Sequence, residues 1–199
     1  MLVFWEQRLV FLATPKTGST AIEAALEGLA SLAVMRPDAL KHSTAAAYRR
    51  HLGPYLAELT GARFTVVALM REPLDWLGSW YRSRRMEEPD EAGVSTRDVS
   101  FEQFVRDYTT APRPAHADVG SQAAFLCEDG RLAVDRLFPY ERIDDFVRFL
   151  EDRLDCEILL PQLKVSPKAA LDVGPATLAR LKAAAAADFD LHAALADGR

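Results

Sequence analysis

The sequence predicts an α/β fold of three layers, in which a central, mainly parallel sheet is flanked by helices. Two apolar runs, at residues 9–13 and 64–70, carry this prediction, because a buried strand of a parallel sheet is apolar on both faces. A helical pattern follows each run directly, as expected for units of strand, loop and helix. The chain has 199 residues, 49% of them hydrophobic, which is enough for a single domain over residues 1–199 and short for two.

The other elements follow from the spacing of apolar residues and from the residues at their ends. Helices are predicted near residues 19–29, 44–52, 54–59, 73–85, 101–108 and 146–154, and further strands at 33–36 and 132–140. Pro73 suits the first turn of its helix, and Ser100 is a cap for the helix whose aromatic residues we expect in the core. A last helix is predicted from Gly174 as far as His192. Segments 87–93 and 110–114 are rich in turn residues and are predicted loops.

Segment 14–20 joins the first strand to the first helix and has the composition of an anion site. A chain that turns through Gly18 into a helix directs unpaired N–H groups, and the positive end of the helix dipole, toward the turn. Lys16 adds a positive charge, and Ser19 and Thr20 add hydroxyl donors. The alternative is an ordinary connection in which Ser and Thr cap the helix.

Arg71 is predicted at the carboxyl end of the strand at 64–70, where open α/β sheets bind ligands. If the two strands are neighbours, Arg71 and the turn at Lys16 face the same crevice. Ser79 follows eight residues later, about two helical turns on, away from the apolar stripe of its helix. The alternative is a solvated arginine and an incidental serine.

These two motifs together resemble the sulfotransferases that use 3'-phosphoadenosine-5'-phosphosulfate (PAPS), most closely the carbohydrate-type and bacterial branch. The resemblance rests on residues 15–20 and on Arg71, Glu72 and Pro73 followed by Ser79, with weaker likeness at 138–141 and 188–189. It implies a P-loop-like fold. It also implies that Lys16, Thr17, Gly18, Ser19 and Thr20 bind the 5'-phosphosulfate, and that Arg71 and Ser79 bind the 3'-phosphate. The product nucleotide would be 3'-phosphoadenosine-5'-phosphate (PAP).

The chain departs from this family in two places. Many relatives carry a second arginine five residues after the first, where this chain has Trp76, so that contact is missing or is supplied by Arg82, Arg84 or Arg85. A late segment that often reads Asn-x-Ser in the family is Lys164-Val165-Ser166 in this chain.

Transfer of a sulfuryl group to a hydroxyl needs positive charge at the leaving group and a base for the hydroxyl proton. Lys16 is the predicted charge stabiliser. His42 is the predicted base, because it lies between a short apolar run and a helix start, in a Lys-His-x-Thr context like that of the relatives. His51 and a carboxylate such as Glu72 or Asp75 remain alternative bases. His116 and His192 are expected to be structural or solvated.

Two other functions stay open. The first is a nucleotide-dependent phosphotransferase of the kinase type, although Lys16 precedes Gly18 and position 13 is Ala, unlike the G-x-x-x-x-G-K-[ST] signature. The second is a nucleotide-binding protein without catalytic activity, an idea to which Trp76 gives weight. The acceptor is expected to be a hydroxyl-bearing carbohydrate or small molecule bound at the loops 87–93 and 110–114, and neither its identity nor the oligomeric state follows from the sequence.

Composition limits the remaining possibilities. A net charge of −5 argues against a general nucleic-acid binder, which needs a basic surface. The two cysteines, Cys127 and Cys156, indicate neither a disulfide framework nor a zinc site, and no metal is implied. No run has the length of a membrane span, and the first residues lack a signal-peptide pattern, so the expected location is the cytoplasm.

Overall fold

The computed structural model describes residues 1–86, 93–161 and 171–196. The strands are β1 (Leu2–Phe4), β2 (Leu9–Leu12), β3 (Leu32–Ala33), β4 (Thr65–Met70), β5 (Cys127–Glu128), β6 (Arg131–Leu132) and β7 (Arg136–Pro139). The first helices are α1 (Ser19–Leu26), α2 (Asp38–Lys41), α3 (Ala45–Ala47), α4 (Gly53–Thr60) and α5 (Pro73–Met86), with a π-helical turn (Tyr48–Leu52) between α3 and α4. The later helices are α6 (Phe101–Tyr108), α7 (Gln122–Leu126), α8 (Ile143–Leu154), α9 (Pro175–Ala184) and α10 (Ala186–Ala196).

Five strands form one sheet in the order β3-β1-β2-β4-β7. Strand β4 pairs in parallel with β2 on one side and with β7 on the other, with Val67 opposite Phe11 and Leu69 opposite Phe138. Strand β1 runs antiparallel to both of its neighbours, β2 and β3, so the other four strands share one direction. The prediction of an α/β chain with a mainly parallel central sheet flanked by helices is confirmed.

Strand β2 is buried on both faces, which explains its continuous apolar run. Val10 and Leu12 pack on one face in a cluster that includes residues of α3, α4 and α7, whereas Leu9 and Phe11 pack on the other face with residues of α1 and α8. Helices therefore cover both faces of the sheet. A third cluster joins α5, α6 and α9 and includes the aromatic residues Phe101, Phe104 and Tyr108, which are buried as predicted.

The site lies at one edge of this sheet because β2, β4 and β7 are parallel. Their carboxyl ends meet at the same edge, and the segments that follow them begin at Ala13, Arg71 and Tyr140. Ligands of open α/β sheets bind in the crevice outside these ends.

Two predicted strands differ from the structure. The strand expected at 33–36 is only the two-residue β3, and β1, which lies between β3 and β2 in the sheet, was not predicted. The strand expected at 132–140 is divided, because Asp135 fixes the chain between β6 and β7: its N–H donates to the Val66 carbonyl (2.8 Å) and its carboxylate accepts from the Val66 N–H (2.7 Å). Strand β6 thus pairs only with β5 in a separate hairpin.

The last predicted helix is also divided, at Ala185, into α9 and α10. The backbone of Ala185 leaves the helical region, at φ −115° and ψ 31°, within a run of alanines whose high helix propensity favours a continuous helix. The break lets α10 bring the buried Asp188 carboxylate to the Ala123 N–H, at 2.6 Å. Residues 87–92 and the segment Lys164-Val165-Ser166 lie outside the described residues.

Among the helices that the structure describes, none combines the length and the apolar character needed to cross a bilayer.

The burial of Phe11 in the sheet predicts that Phe11→Ala strongly lowers the free energy of unfolding. Phe11 is fully buried, and its ring centroid lies 5.5 Å from that of Phe146. Replacement by alanine leaves a cavity and should lower the free energy of unfolding by about 3–5 kcal/mol, measured by urea denaturation. Tyr55→Ala, on an exposed position of α4, is the matched control and should change it by less than about 0.5 kcal/mol. Equal losses in the two variants would contradict the assignment of Phe11 to the core.

Candidate functional site

Residues 13–18 connect β2 to α1 in a turn that leaves the helix start open. Gly18 is the N-cap residue, with φ 74° and ψ 10°, and within the described chain no side chain caps the first turn of α1. The N–H groups of that turn have no acceptor inside the helix, and the helix dipole adds positive potential there. This is the arrangement that binds anions at helix starts.

Four consecutive carbonyl groups of this loop accept hydrogen bonds from side chains. The pairs are Ala13 with His42 Nδ1 (2.6 Å), Thr14 with the Thr17 hydroxyl (2.9 Å), Pro15 with Trp76 Nε1 (2.9 Å) and Lys16 with a terminal nitrogen of Arg71 (3.3 Å). In a trans peptide the N–H points opposite to the C=O of the same plane. Drawing the carbonyls toward these side chains therefore turns the N–H groups of Lys16 and Thr17 the other way, as in anion-binding turns.

The side chains of the loop do not all face outward. Thr17 is fully buried and uses its hydroxyl within the loop, and Ser19 is almost fully buried. Thr20 is partly exposed, and the Lys16 ammonium lies 4.8 Å from the centroid of the Trp80 ring. Of the predicted anion ligands, Thr17 thus shapes the loop through its side chain, whereas Lys16 and Thr20 reach its surface.

Gly18 is required by close packing as well as by its positive φ. A Cβ atom at this position would lie 2.9 Å from Cε2 of Tyr140, which is closer than carbon atoms pack. Tyr140 also contacts Arg71, whose guanidinium carbon lies 4.7 Å from the ring centroid. Because Tyr140 directly follows β7, it lies between the loop of residues 13–18 and Arg71.

Arg71 and the loop lie together outside the carboxyl ends of β2 and β4, and this region is called the crevice below. Besides its bond to the Lys16 carbonyl, Arg71 donates from Nε to Asp75 at 2.6 Å, and its side chain is 14% exposed. Asp75 also lies 3.7 Å from Arg82, whose side chain is exposed to the same small extent. Two guanidinium groups thus meet the Asp75 carboxylate, and the Glu72 carboxylate accepts the Asp75 N–H beside them.

Arg82, Arg84 and Arg85, the three possible replacements for an arginine at position 76, have different partners in the structure. Arg84 donates to the carbonyls of residues 115 and 118, and Arg85 donates to the Tyr81 hydroxyl and to the Arg97 carbonyl. Arg82 is the one that joins Arg71 at Asp75. Trp76, where the sulfotransferases that the chain resembles often have an arginine, is a neutral donor that holds the loop carbonyl of Pro15.

Ser79 lies on the same side of α5 as these charges. It follows Asp75 by four residues and precedes Arg82 by three, and residues at these spacings are neighbours on a helix surface. Its side chain is partly exposed. The helix thus presents Asp75, Ser79 and Arg82 as one polar row next to Arg71.

His42 lies at the end of α2, at the base of the loop. Because the Ala13 carbonyl can only accept, Nδ1 must carry the proton, which leaves Nε2 of the neutral ring free to accept one. The preceding residue, Lys41, pairs at 2.8 Å with Glu23, a fully buried carboxylate of α1. The Met1 amino group also contacts Glu23, at 3.1 Å, and burial lowers the pKa of this amine. These contacts fix the segment that carries His42 against α1.

The carboxylates considered as alternative bases pair with other groups, and His51 does not contact the loop. The Glu72 carboxylate accepts the Asp75 N–H at the start of α5 (2.7 Å), and Asp75 pairs with two arginines. His51 is exposed on the π-helical turn. His116 pairs with Asp107 at 2.8 Å, and His192 lies 3.3 Å from Glu141. Within the described part of the chain, His42 is the histidine that contacts residues 13–18.

Two further groups complete the description of this region. The Glu141 carboxylate accepts the Glu72 N–H at 2.7 Å and faces His192, because the end of β7 lies beside the end of β4 and beside α10. Cys127 lines a separate surface hollow between α7, the hairpin and α10, where burial raises the pKa of its thiol. Residues 1–86, 93–161 and 171–196 contain no cluster of three side chains suited to a metal ion.

A scan against protein-family models finds no match to this chain, and searches of curated proteins and of solved structures find no significant similarity either. Function is therefore inferred from the geometry of the residues themselves and from the resemblance of the two motifs.

Sequence reasoning did not anticipate the roles of Tyr140, Trp80 and Gln122. The helical spacing of Trp76 and Trp80 was a usable signal, since it places both indole rings on the face of α5 that meets the loop; the rings lie 6.1 Å apart. Gln122 contacts Arg71 across a separation of 51 residues, and no local pattern marks such a contact.

The loop geometry predicts that Gly18→Ala costs more stability than Gly61→Ala. Both glycines have positive φ, 74° and 65°, but a Cβ at Gly61 meets nothing within 4 Å. In both variants the strain of an alanine at positive φ should lower the free energy of unfolding by about 1–2 kcal/mol. Gly18→Ala also forces Tyr140 to move, which should lower it by about 1–3 kcal/mol more. Urea denaturation measures the difference. Equal losses would show that Tyr140 does not press on the loop.

Proposed function

We propose that the chain is a sulfotransferase with a P-loop-like fold, which transfers the sulfuryl group of PAPS to a hydroxyl of a carbohydrate or small-molecule acceptor. The observation that carries the proposal is the hydrogen bond from Arg71 to the Lys16 carbonyl, because it brings the two motifs of the resemblance into one crevice. The crevice lies outside the carboxyl ends of β2 and β4, which are adjacent and parallel.

The charge distribution of the crevice fits a donor with two anionic ends. One end of the crevice has the uncapped start of α1 and the Lys16 ammonium. The other end has Arg71, Arg82 and Ser79 around Asp75. The first set would hold the 5'-phosphosulfate through N–H groups, Lys16 and Thr20, and the second would hold the 3'-phosphate.

The bound donor would supply an activated sulfuryl group, and this chain would supply charge and a base. Lys16 neutralises negative charge that develops on the leaving phosphate oxygen. His42 accepts the proton of the acceptor hydroxyl at Nε2, while Nδ1 stays bonded to the Ala13 carbonyl and holds the ring in this tautomer. A positioned base of this kind contributes about 10²- to 10⁴-fold to the rate.

The phosphotransferase alternative lacks support at the strand ends. An Mg²⁺-dependent nucleotide site of the P-loop class needs an aspartate that reaches the metal from a strand end. In the described chain the residues that follow β4 and β7 are Arg71 and Tyr140, and Asp75 already pairs with arginines. Trp76 was the reason to consider an inactive nucleotide-binding protein, but it braces the loop and Arg82 supplies a guanidinium group near Arg71.

Nucleotide preference tests the class of protein. We expect PAP to bind at least about tenfold more tightly than ATP with Mg²⁺, by isothermal titration calorimetry, because Arg71 and Arg82 would contact a 3'-phosphate that ATP lacks; tenfold corresponds to about 1.4 kcal/mol. AMP, which lacks the 3'-phosphate, is the matched ligand control and should bind more weakly than PAP. A preference for ATP with Mg²⁺ would favour the phosphotransferase instead.

The base assignment predicts different effects at two histidines. His42→Ala should lower turnover by about 10²- to 10⁴-fold and leave PAP affinity within about twofold, since His42 acts on the acceptor proton. His51→Ala, at an exposed histidine, is the matched control and should change neither. Turnover is measured with radiolabelled donor on the best acceptor found in a screen of saccharides and small alcohols. Wild-type protein that binds PAP but modifies no acceptor would favour the inactive nucleotide-binding protein.

A further inference from the structure

Gln122, the first residue of α7, makes two hydrogen bonds to the main chain of Arg71. Its side-chain oxygen accepts the Arg71 N–H at 2.9 Å, and its side-chain nitrogen donates to the Arg71 carbonyl at 2.8 Å. Gln122 is fully buried. One planar amide therefore satisfies both polar groups of the Arg71 main chain.

These bonds matter because Arg71 is the first residue beyond β4. The pairing of β4 with β7 ends at Met70 opposite Pro139, and that with β2 ends at Ala68 opposite Leu12. Main-chain groups near the core need partners once the ladder has ended. Gln122 replaces a neighbouring strand at this one residue and so fixes the direction in which the Arg71 side chain leaves the backbone.

Gln122 is itself held in place by the neighbouring helices. The next residue, Ala123, donates its N–H to the buried Asp188 of α10 at 2.6 Å, and the Ser121 side chain caps the helix by accepting the Ala124 N–H at 3.1 Å. The amide is thus attached to a fixed helix start, and no flexible loop carries it.

We propose that Gln122 is a positioning residue of the anion site, which sets the Arg71 guanidinium between Asp75, Tyr140 and the Lys16 carbonyl. The side chain acts only through the Arg71 main chain and touches no ligand. The inference rests on the proposed function in one respect, namely that Arg71 binds a phosphate group of the nucleotide. A site must be held to within a fraction of an ångström to bind well, so a loosened Arg71 should bind weakly.

The test compares Gln122→Met with Gln103→Met. Both changes replace an amide by an apolar side chain of similar length, but Gln103 is on α6, and the bond that its amide makes within the described residues is to Asp107. The ligand-free readout is the NMR signal of the Arg71 Nε–H, which reports its bond to Asp75. The second readout is PAP affinity by calorimetry. In Gln122→Met we expect the signal to shift and broaden and the affinity to fall about tenfold or more, whereas Gln103→Met should leave both as in the wild type.

A second variant, Gln122→Glu, tests the two bonds chemically. A protonated carboxyl group has one donor and one acceptor, like the amide, whereas the ionised group can only accept and would face the Arg71 carbonyl. The Arg71 Nε–H signal should therefore be displaced at high pH and return to the wild-type position as pH falls, with wild type measured at each pH. If Gln122→Met does not fold, the pH dependence of the Gln122→Glu signal still tests the positioning role of Gln122.

The two proposals fail separately. Wild-type protein that does not bind PAP would overturn the sulfotransferase proposal, while the Arg71 Nε–H signal would still decide the role of Gln122. An Arg71 signal unchanged in Gln122→Met, and unchanged with pH in Gln122→Glu, would overturn the positioning role. So would equal losses of PAP affinity in Gln122→Met and Gln103→Met, because the effect would then be unspecific.

Discussion

The orientation of four successive peptide groups in residues 13–16 is the constraint on which the candidate site depends. Side chains from α1, α2, α5 and their flanks take up all four carbonyls, so the polarity of the loop is set from several elements of the fold. Without these donors the carbonyl dipoles could turn outward and repel an anion. The parallel pairing of β2 with β4 supplies two of the donors, Arg71 and Trp76, because it places the start of α5 beside the loop.

The positions of the charged groups in the crevice are also set by contacts from several elements of the fold. The Arg71 guanidinium is held by a carboxylate, a carbonyl and an aromatic face, which leaves part of its hydrogen-bonding edge for a ligand. Asp75 lowers the repulsion between Arg71 and Arg82 without cancelling both charges. The neutral Trp76 carries no charge and braces the loop, so Arg82, six residues later, is the residue that supplies the second guanidinium.

The elements that the sequence could predict are those that depend on residues close together in the chain. Strands β2 and β4, helices α1 and α5, and the loop between them follow from apolar runs, from Gly18 and from Pro73, which act within a few residues. The two-residue β3, the break at Ala185 and the division at Asp135 depend on contacts with distant segments. The same holds for the site: Lys16 and Arg71 could be proposed from their strand ends, but the supports at Tyr140 and Gln122 join residues more than fifty positions apart. The buried hydroxyl of Thr17 was missed because its partner, Thr14, depends on the loop conformation.

The loop also couples anion binding to the proposed base. The Ala13 carbonyl belongs to the same array that orients the loop N–H groups, and it is the acceptor that fixes the His42 tautomer. If the loop shifted and turned this carbonyl away, the hydrogen bond that keeps the proton on Nδ1 would be lost. The ring could then carry its proton on Nε2, which would no longer be able to accept one. The conformation that presents N–H groups to an anion is thus also the one that would prepare His42 for its proposed role as a base. In the proposed reaction, charge stabilisation and proton removal would both depend on this one backbone geometry.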